Sequence, residues 1–146
     1  MKRYFIAILL MTVLVAGCAQ AKTAEPGTGL KISGGSISKT YTVEQLQALG
    51  AAQATFREVA YTGVPLAALL ADAGFDMTAV KAVKVVASDG FTVNYEPALF
   101  NKTDTLLAYG RADGPLAEED GIFRMVLPDQ EGKLNPRQVV EIQVVQ

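Results

Sequence analysis

The chain contains no histidine and a single cysteine, Cys18, among its 146 residues. A Ser-His-Asp or Cys-His catalytic arrangement, a histidine-ligated zinc, copper or haem site and an internal disulfide are therefore all excluded. A metal would need oxygen ligands, or Met77 and Met125 as soft ligands, although both methionines are more simply interpreted as core residues. Acid–base chemistry would fall to Asp, Glu, Lys or Tyr. These absences argue against an enzyme but leave that question open.

The first residues are ordered like a bacterial export signal. Lys2 and Arg3 precede an apolar run, 4–16, that is too short to cross a membrane as a mature helix. The run leads into Val-Ala-Gly-Cys ending at Cys18, which resembles a lipobox, the motif whose cysteine becomes the lipidated first residue of a mature bacterial lipoprotein. We expect three segments: a signal peptide at 1–17, a flexible tether at 18–29 and a folded domain at 30–146.

The charge of the mature protein bears on its partners. Removal of Lys2 and Arg3 would lower the basic residues from 13 to 11 against 15 acidic ones, a net charge of about −4. Such a surface predicts no nucleic-acid binding and no electrostatic attachment to anionic lipid, so an N-terminal lipid on Cys18 would hold the protein on its membrane. Ala19 stands after Cys18 in place of an aspartate, which resembles a lipoprotein directed to the outer membrane. We expect an extracytoplasmic, membrane-anchored lipoprotein of the outer membrane or cell surface.

Two amphipathic helices are predicted in the first half of the domain. Thr42 and Gln45 form a capping-box pattern before a short apolar stripe that Gly50 ends. Pro65 suits the first position of a second helix. The apolar residues of that helix recur at i, i+3, i+4 and i+7, and Gly74 is well placed to end it.

The rest of the domain is predicted to consist mainly of strands. The pattern favours strands at 30–33, 55–60, 83–87, 91–95, 105–109, 123–127 and 139–145, and a helical turn at 97–100. Turns are predicted at 61–63, 88–90 and 113–114. Many short strands with two small helices indicate an α+β, mostly-β domain that folds around one core.

Four motifs of this domain occur in a recognisable order. They are Tyr-Thr-Gly-Val-Pro-Leu at 61–66, Ser-Asp-Gly-Phe at 88–91, Leu-Leu-Ala-Tyr at 106–109, and Gly-Ile-Phe-Arg-Met-Val-Leu-Pro at 121–128. In this order they resemble the sulfite-oxidase-type molybdopterin-binding domain, over about residues 40–146. Each motif alone is weak, but the order makes the resemblance specific. The resemblance implies a mostly-β fold of the sulfite-oxidase type, in a compact stand-alone member.

The resemblance also implies a cofactor whose protein ligand this chain lacks. The larger family members hold a molybdenum pterin, and a cysteine thiolate ligates the metal. That cysteine would lie near 54–57, where this chain has Ala-Thr-Phe-Arg. We therefore expect no cofactor, with molybdopterin as the alternative. A basic stretch that closes the site in the family is only partly retained at 131–137, through Gly132, Lys133 and Arg137.

The resemblance implies a pocket between the turn at 88–91, Arg124 and the loop at 133–137. The ligand-binding candidates are Ser88, Asp89, Gly90, Tyr95, Arg111, Arg124, Lys133 and Arg137. The cations could contact a phosphate or carboxylate, and the tyrosine could stack on a planar ligand. Arg124 lies between two apolar strand residues, so its side chain should face the opposite way, toward a cleft or water.

Each candidate also has a structural interpretation. The residues of the turn at 88–90 would then only shape the chain, Tyr95 would pack in the core, and Arg124 would pair with a nearby carboxylate. Lys133 and Arg137 would belong to a solvated loop, and Arg111 would be a surface residue. The acidic clusters at 118–120 and 129–131 are also interpreted as solvated loops, because a calcium site needs more oxygen ligands at defined spacing.

Three functions remain open on these grounds. The first is a lipid-anchored, non-catalytic ligand-binding or accessory domain that binds a small anionic or planar ligand, or a partner protein. The second is a molybdopterin-dependent oxidoreductase or redox subunit. The third is a structural surface lipoprotein.

Overall fold

The computed structural model describes residues 27–146, so the predicted signal peptide and Cys18 lie outside the described residues. The strands are β1 Leu30–Gly34, β2 Ile37–Tyr41, β3 Ala52–Phe56, β4 Val59–Pro65, β5 Ala82–Ala87, β6 Thr92–Tyr95, β7 Leu106–Arg111, β8 Arg124–Val126 and β9 Val139–Val145. The helices are α1 Val43–Ala48, α2 Leu66–Ala73 and α3 Pro97–Phe100, with 3-10 turns at Glu118–Asp120 and Gly132–Leu134. No helix within 27–146 has the length and apolarity to cross a bilayer.

The strands form two sheets. One has the order β2-β1-β9-β5-β6 and the other the order β3-β4-β7-β8. Every pair of neighbours is antiparallel except β1 and β9, which run parallel, so strands from the two ends of the described region lie side by side. The mostly-β architecture expected from the many short strands is confirmed.

The main core contains apolar residues of both sheets. Ile32 and Val85 from the first sheet, and Val64 and Leu107 from the second, are completely buried in one cluster with the apolar face of α2. A second, smaller cluster holds Phe56 and Tyr61 with four further buried residues: Ala54, Leu106, Ala108 and Val126. Two residues of this smaller cluster, Phe56 and Tyr61, also line cavities of the domain.

Local chemistry explains both longer helices. The Thr42 side chain accepts from the Gln45 backbone N–H while the Gln45 side chain accepts from the Thr42 N–H, so the predicted capping box is formed. Four apolar residues of α2 are buried, and Gly74 ends it with a φ of 102°, a left-handed conformation that glycine adopts at low cost. Pro65, predicted as the first helical residue, is instead the last residue of β4 and precedes the helix.

The prediction was wrong around the third and fourth strands. The sequence indicated one strand at 55–60 and a turn at 61–63, but the chain turns at Arg57 and Glu58 and β4 runs on through Gly63. Both turn residues have positive φ, 48° and 67°, as a two-residue hairpin turn of type I′ requires. Type I′ turns usually have Asn-Gly or Asp-Gly at these two positions, so the Arg-Glu pair did not predict a turn.

Two other predictions need adjustment. Strand β2 was missed because its sequence, Ile-Ser-Lys-Thr-Tyr, has apolar residues only at its ends. Phe91 was expected on the buried face of an alternating strand, yet it lies before β6 and is 46% exposed. Its exposure places an aromatic ring at the mouth of a cavity.

Candidate functional site

The hairpin turn between β3 and β4 carries an aromatic and a cation to the site. The guanidinium carbon of Arg57 lies 5.2 Å from the centroid of the Phe56 ring, within range of a cation–π contact. Across the cavity, a Cβ on Gly132 would lie only 2.8 Å from a terminal nitrogen of Arg57. A side chain at Gly132 would therefore displace the flexible end of the Arg57 side chain, which reaches the loop that carries Lys133.

A buried carboxylate gathers three arginines. Asp120 is 1% exposed, and its oxygens lie 2.8 Å from Arg124 Nη1, 3.2 Å from Arg137 Nε and 3.6 Å from Arg111 Nη2. A single carboxylate neutralises one of the three guanidinium charges, so this cluster retains an excess of positive charge. The prediction of a solvated loop at 118–120 is wrong for Asp120, because this carboxylate is buried against arginines of β7, β8 and the loop before β9.

Arg124 is fixed from several sides. It is 2% exposed, and besides Asp120 its Nη1 donates to the Tyr61 hydroxyl at 2.8 Å. Its guanidinium carbon also lies 4.6 Å from the Tyr61 ring centroid and 5.7 Å from that of Phe56. The pairing with a carboxylate that the sequence left as an alternative is thus present, and the same side chain also lines the cavities.

A cavity of about 840 Å³ opens beside this cluster and is called the main cavity. Its charged lining residues are Arg57, Asp89, Glu119, Arg124, Glu131, Lys133 and Arg137, and its aromatic ones are Phe56 and Phe91. Two of the carboxylates are already engaged: Asp89 accepts the Phe91 N–H at 2.9 Å, and Glu131 pairs with Lys133 at 2.9 Å.

A smaller cavity of about 170 Å³ adjoins it and is called the arginine recess. Its lining includes Arg57, Arg111, Arg124 and Arg137 against two carboxylates, Glu119 and Asp120, with Phe56 and Tyr61 among the remaining residues. The Arg111 Nε is buried and makes no hydrogen bond within the described region. Positive charge and an unused donor are therefore concentrated at this end of the site.

The structure brings five of the eight predicted candidates to these cavities. Asp89, Arg124, Lys133 and Arg137 line the main cavity, and Arg111 lines the arginine recess. The remaining three, Ser88, Gly90 and Tyr95, line neither of these cavities.

Tyr95 is completely buried, and its hydroxyl donates to the Leu134 carbonyl at 2.7 Å. Burial raises the pKa of this phenol, so it remains a protonated donor. Ser88 lines a separate groove and donates to the Gln138 side chain at 2.7 Å, while Gly90 supplies the positive φ, 86°, of the turn. Tyr95 therefore has the core-packing role that the sequence left as its alternative.

Sequence reasoning did not select several lining residues. Phe56 and Arg57 were considered only as the place where a cysteine was missing, and Phe91 was assigned to a strand face. Glu119 and Gln138 carry no motif, so their position follows only from the folded chain.

The residues at the expected metal position do not suit a molybdenum ligand. Phe56 and Arg57 occupy it as a stacked aromatic–cation pair, without a thiol. No group of three or more acidic, cysteine or histidine side chains within 27–146 could hold a metal ion. Met125 is buried in the main core and Met77 packs against it, as the packing interpretation predicted. The arginine recess, in contrast, suits the anionic part of a ligand.

The two-sheet fold is that of the sulfite-oxidase-like molybdopterin-binding class. The family model of the oxidoreductase molybdopterin binding domain matches residues 29–146. The chain belongs to this family, as the order of its motifs indicated.

A solved relative supports the same fold. The sulfane dehydrogenase SoxCD from Paracoccus pantotrophus superposes with a TM-score of 0.64 at 20% sequence identity, covering 84% of this chain. This chain covers only 39% of the length of that longer chain. At 20% sequence identity the similarity concerns the fold alone. Comparison with curated proteins gives no match.

Proposed function

We propose that this protein is a lipid-anchored, extracytoplasmic binding module that holds a small planar ligand with an anionic group and does not transform it. The observation that carries this proposal is the arginine recess, where four arginines face two carboxylates beside a larger cavity. Guanidinium groups bind carboxylates and phosphates through paired hydrogen bonds, and a partly buried site strengthens those bonds. The anionic group would occupy the recess.

The main cavity would hold the body of the ligand. Its volume of about 840 Å³ lies within the range of small-molecule sites. Phe56 lies in its floor and Phe91 is 46% exposed at its edge, so two aromatic rings are available to a planar group. This arrangement favours a planar anion over a simple inorganic ion as the ligand.

Binding without turnover is supported by the side chains at the site. The chain has no histidine, and its one thiol is Cys18 in the predicted lipobox. The Tyr61 hydroxyl and Asp120 are engaged by Arg124, and Lys133 is paired with Glu131. A general acid or base must lie within hydrogen-bond reach of the proton that it transfers, and these three side chains are already held by other side chains. The side chains left for that role are few.

Attachment to a membrane is proposed from the sequence. The lipobox-like ending at Cys18 would place acyl chains on the first residue of the mature protein. Intact mass measurement of the chain from an exporting bacterium should show loss of residues 1–17 and a gain of acyl mass at Cys18. An unprocessed chain would contradict the lipoprotein assignment without affecting the binding proposal.

Composition analysis of the native protein tests the binding proposal. The full chain would be purified from a host that makes the molybdenum cofactor, and both metal content and native mass would be measured. We expect less than stoichiometric molybdenum and a small organic anion bound to the native protein or readily accepted by it. Stoichiometric molybdenum would overturn the proposal.

Such a result would favour the second candidate, a redox subunit, which family membership supports. In that case pterin and metal would be held without a protein thiolate. A native protein that neither carries nor accepts any small molecule would favour the structural lipoprotein.

A further inference from the structure

An apolar groove lies on the surface near the start of the described chain. It has a volume of about 180 Å³, and Ile122 and Val140 flank it with 42% and 41% of their surface exposed. Phe123 and Val139 contribute buried apolar surface beneath them. Two large aliphatic side chains exposed side by side over an apolar floor form a surface suited to an apolar partner.

Backbone hydrogen bonds hold the two exposed side chains together. The Gln138 N–H donates to the Asp120 carbonyl at 2.8 Å, and the Val139 N–H donates to the Phe123 carbonyl at 2.8 Å. These bonds dock the segment that carries Ile122 onto the start of β9. The groove is therefore a fixed feature of the fold.

The chain enters the described domain at this groove, since Gly27 and Gly29 belong to its lining. Cys18 precedes Gly27 by nine residues, which can reach at most about 30 Å when fully extended. The far end of β9, at Val145, is about 20 Å further along that strand from Val139. Because the tether joins the domain at the groove, the groove is the part of the folded surface that lies nearest to the lipid on Cys18 along the chain.

We infer that the groove face, formed by Ile122, Val140 and the other residues that line the groove, rests on the lipid bilayer of the membrane that holds Cys18. The inference rests on the proposed lipidation. The exposed aliphatic side chains would contact the boundary between headgroups and acyl chains. The short tether from the lipid on Cys18 enters the domain next to these side chains, so both would hold the same face on the membrane. Glu118 and Glu119, which precede Ile122 by four and three residues, are exposed, so zwitterionic lipid is favoured over anionic lipid.

This orientation would also place the ligand site. Gln138 lines both the groove and the main cavity, and Ser88 of the groove adjoins Asp89 of the cavity. The mouth of the main cavity would then open close to the membrane surface.

Tryptophan fluorescence gives a direct test, because the chain contains no tryptophan. Full-length Ile122→Trp and Val145→Trp chains would be produced in an exporting bacterium and reconstituted in phosphatidylcholine vesicles with or without brominated acyl chains. Val145 is a matched control, since it is an exposed aliphatic residue, 50%, at the other end of β9. Bromine quenches only fluorophores near the acyl chains.

We expect brominated lipid to quench Trp fluorescence strongly in Ile122→Trp and little in Val145→Trp. Adding Val140→Asp to the first variant should reduce the quenching, because a carboxylate opposes insertion. Equal quenching in the two single variants, or quenching of Val145→Trp alone, would overturn the inference. Unfolding midpoints of all variants would be measured, and quenching is compared only among folded proteins.

The same samples separate this inference from the lipidation on which it depends. Intact mass shows whether Cys18 is acylated, and a Cys18→Ser chain should lose the quenching of Ile122→Trp. An acylated chain with equal quenching at both positions contradicts the membrane face alone. A chain without acyl mass contradicts the lipidation, and with it the inference.

Discussion

Replacement of Asp120 by Asn should cost much of the stability of this domain. The substitution keeps the size of the side chain but removes the one negative charge among three arginines. Because Asp120 is 1% and Arg124 2% exposed, the remaining guanidinium charge would be buried without compensation. Removing one partner of a buried ion pair costs about 3–5 kcal/mol. An amide oxygen can still accept from Arg124, so we expect a loss of about 3 kcal/mol.

Urea unfolding monitored by circular dichroism measures this loss, provided that the dependence on urea concentration is unchanged. Arg137→Gln is the matched control: its side chain is 53% exposed, so its pairing with Asp120 should contribute at most about 1 kcal/mol. The double variant Asp120→Asn with Arg124→Met should be more stable than Asp120→Asn alone, because the most deeply buried guanidinium is removed together with its partner. A loss below about 1 kcal/mol for Asp120→Asn would refute the reasoning.

Three further predictions concern the scaffold. Burial raises the pKa of Glu141, but hydrogen bonds from neighbouring side chains, Lys31 first, outweigh it and leave the pKa below its ordinary value of 4.5. The ionised Glu141 therefore stabilises the fold fully above pH 4.5, and this stabilisation is lost as the pH falls through the folded pKa. Glu141→Gln should for that reason reduce the fall in unfolding free energy between pH 5 and pH 3. An unchanged fall would contradict this explanation. Gly63→Ala should prevent stable folding, because its Cβ would lie 2.6 Å from the Ala108 Cα, and a normal yield with an unshifted thermal midpoint would contradict the packing described. Tyr95→Phe should cost about 1 kcal/mol in urea unfolding by removing the hydrogen bond to the part-buried Leu134 carbonyl, and no loss would show that this bond adds no net stability.

Elements with clear periodicity could be predicted from the sequence. Helix α2 buries apolar residues at helical spacing and ends at Gly74, and β9 lies within the apolar run of the last residues. The hairpin turn at Arg57 and Glu58 could not be predicted, because its left-handed residues are neither glycine nor asparagine. The position of this turn is determined by the pairing of β4 with β3 and β7 in the sheet and not by the local sequence.

The site was predictable only in part, for a similar reason. Lys133 and Arg137 could be selected because they partly retain the basic stretch that closes the site in the family. The burial of Asp120 depends on Arg111, Arg124 and Arg137 converging from separate elements. Such a network is a property of the tertiary structure, and an acidic run resembles a solvated loop until its partners are known.

Binding of an anionic pterin tests the central claim most directly. Fluorescence anisotropy would compare 6-carboxypterin with 6-methylpterin, which lacks the carboxylate, on the full chain and on its Arg57→Gln, Arg137→Gln and Lys81→Gln variants. Lys81 is an exposed control at the other end of the domain, where its N–H donates to the Val145 carbonyl.

The account predicts saturable binding of one 6-carboxypterin, weakened by salt. It also predicts weaker binding of 6-methylpterin and about tenfold weaker binding of 6-carboxypterin to each arginine variant, with no change for Lys81→Gln. Equal affinity for the two pterins, or affinity unaffected by loss of Arg57 and Arg137, would contradict the account.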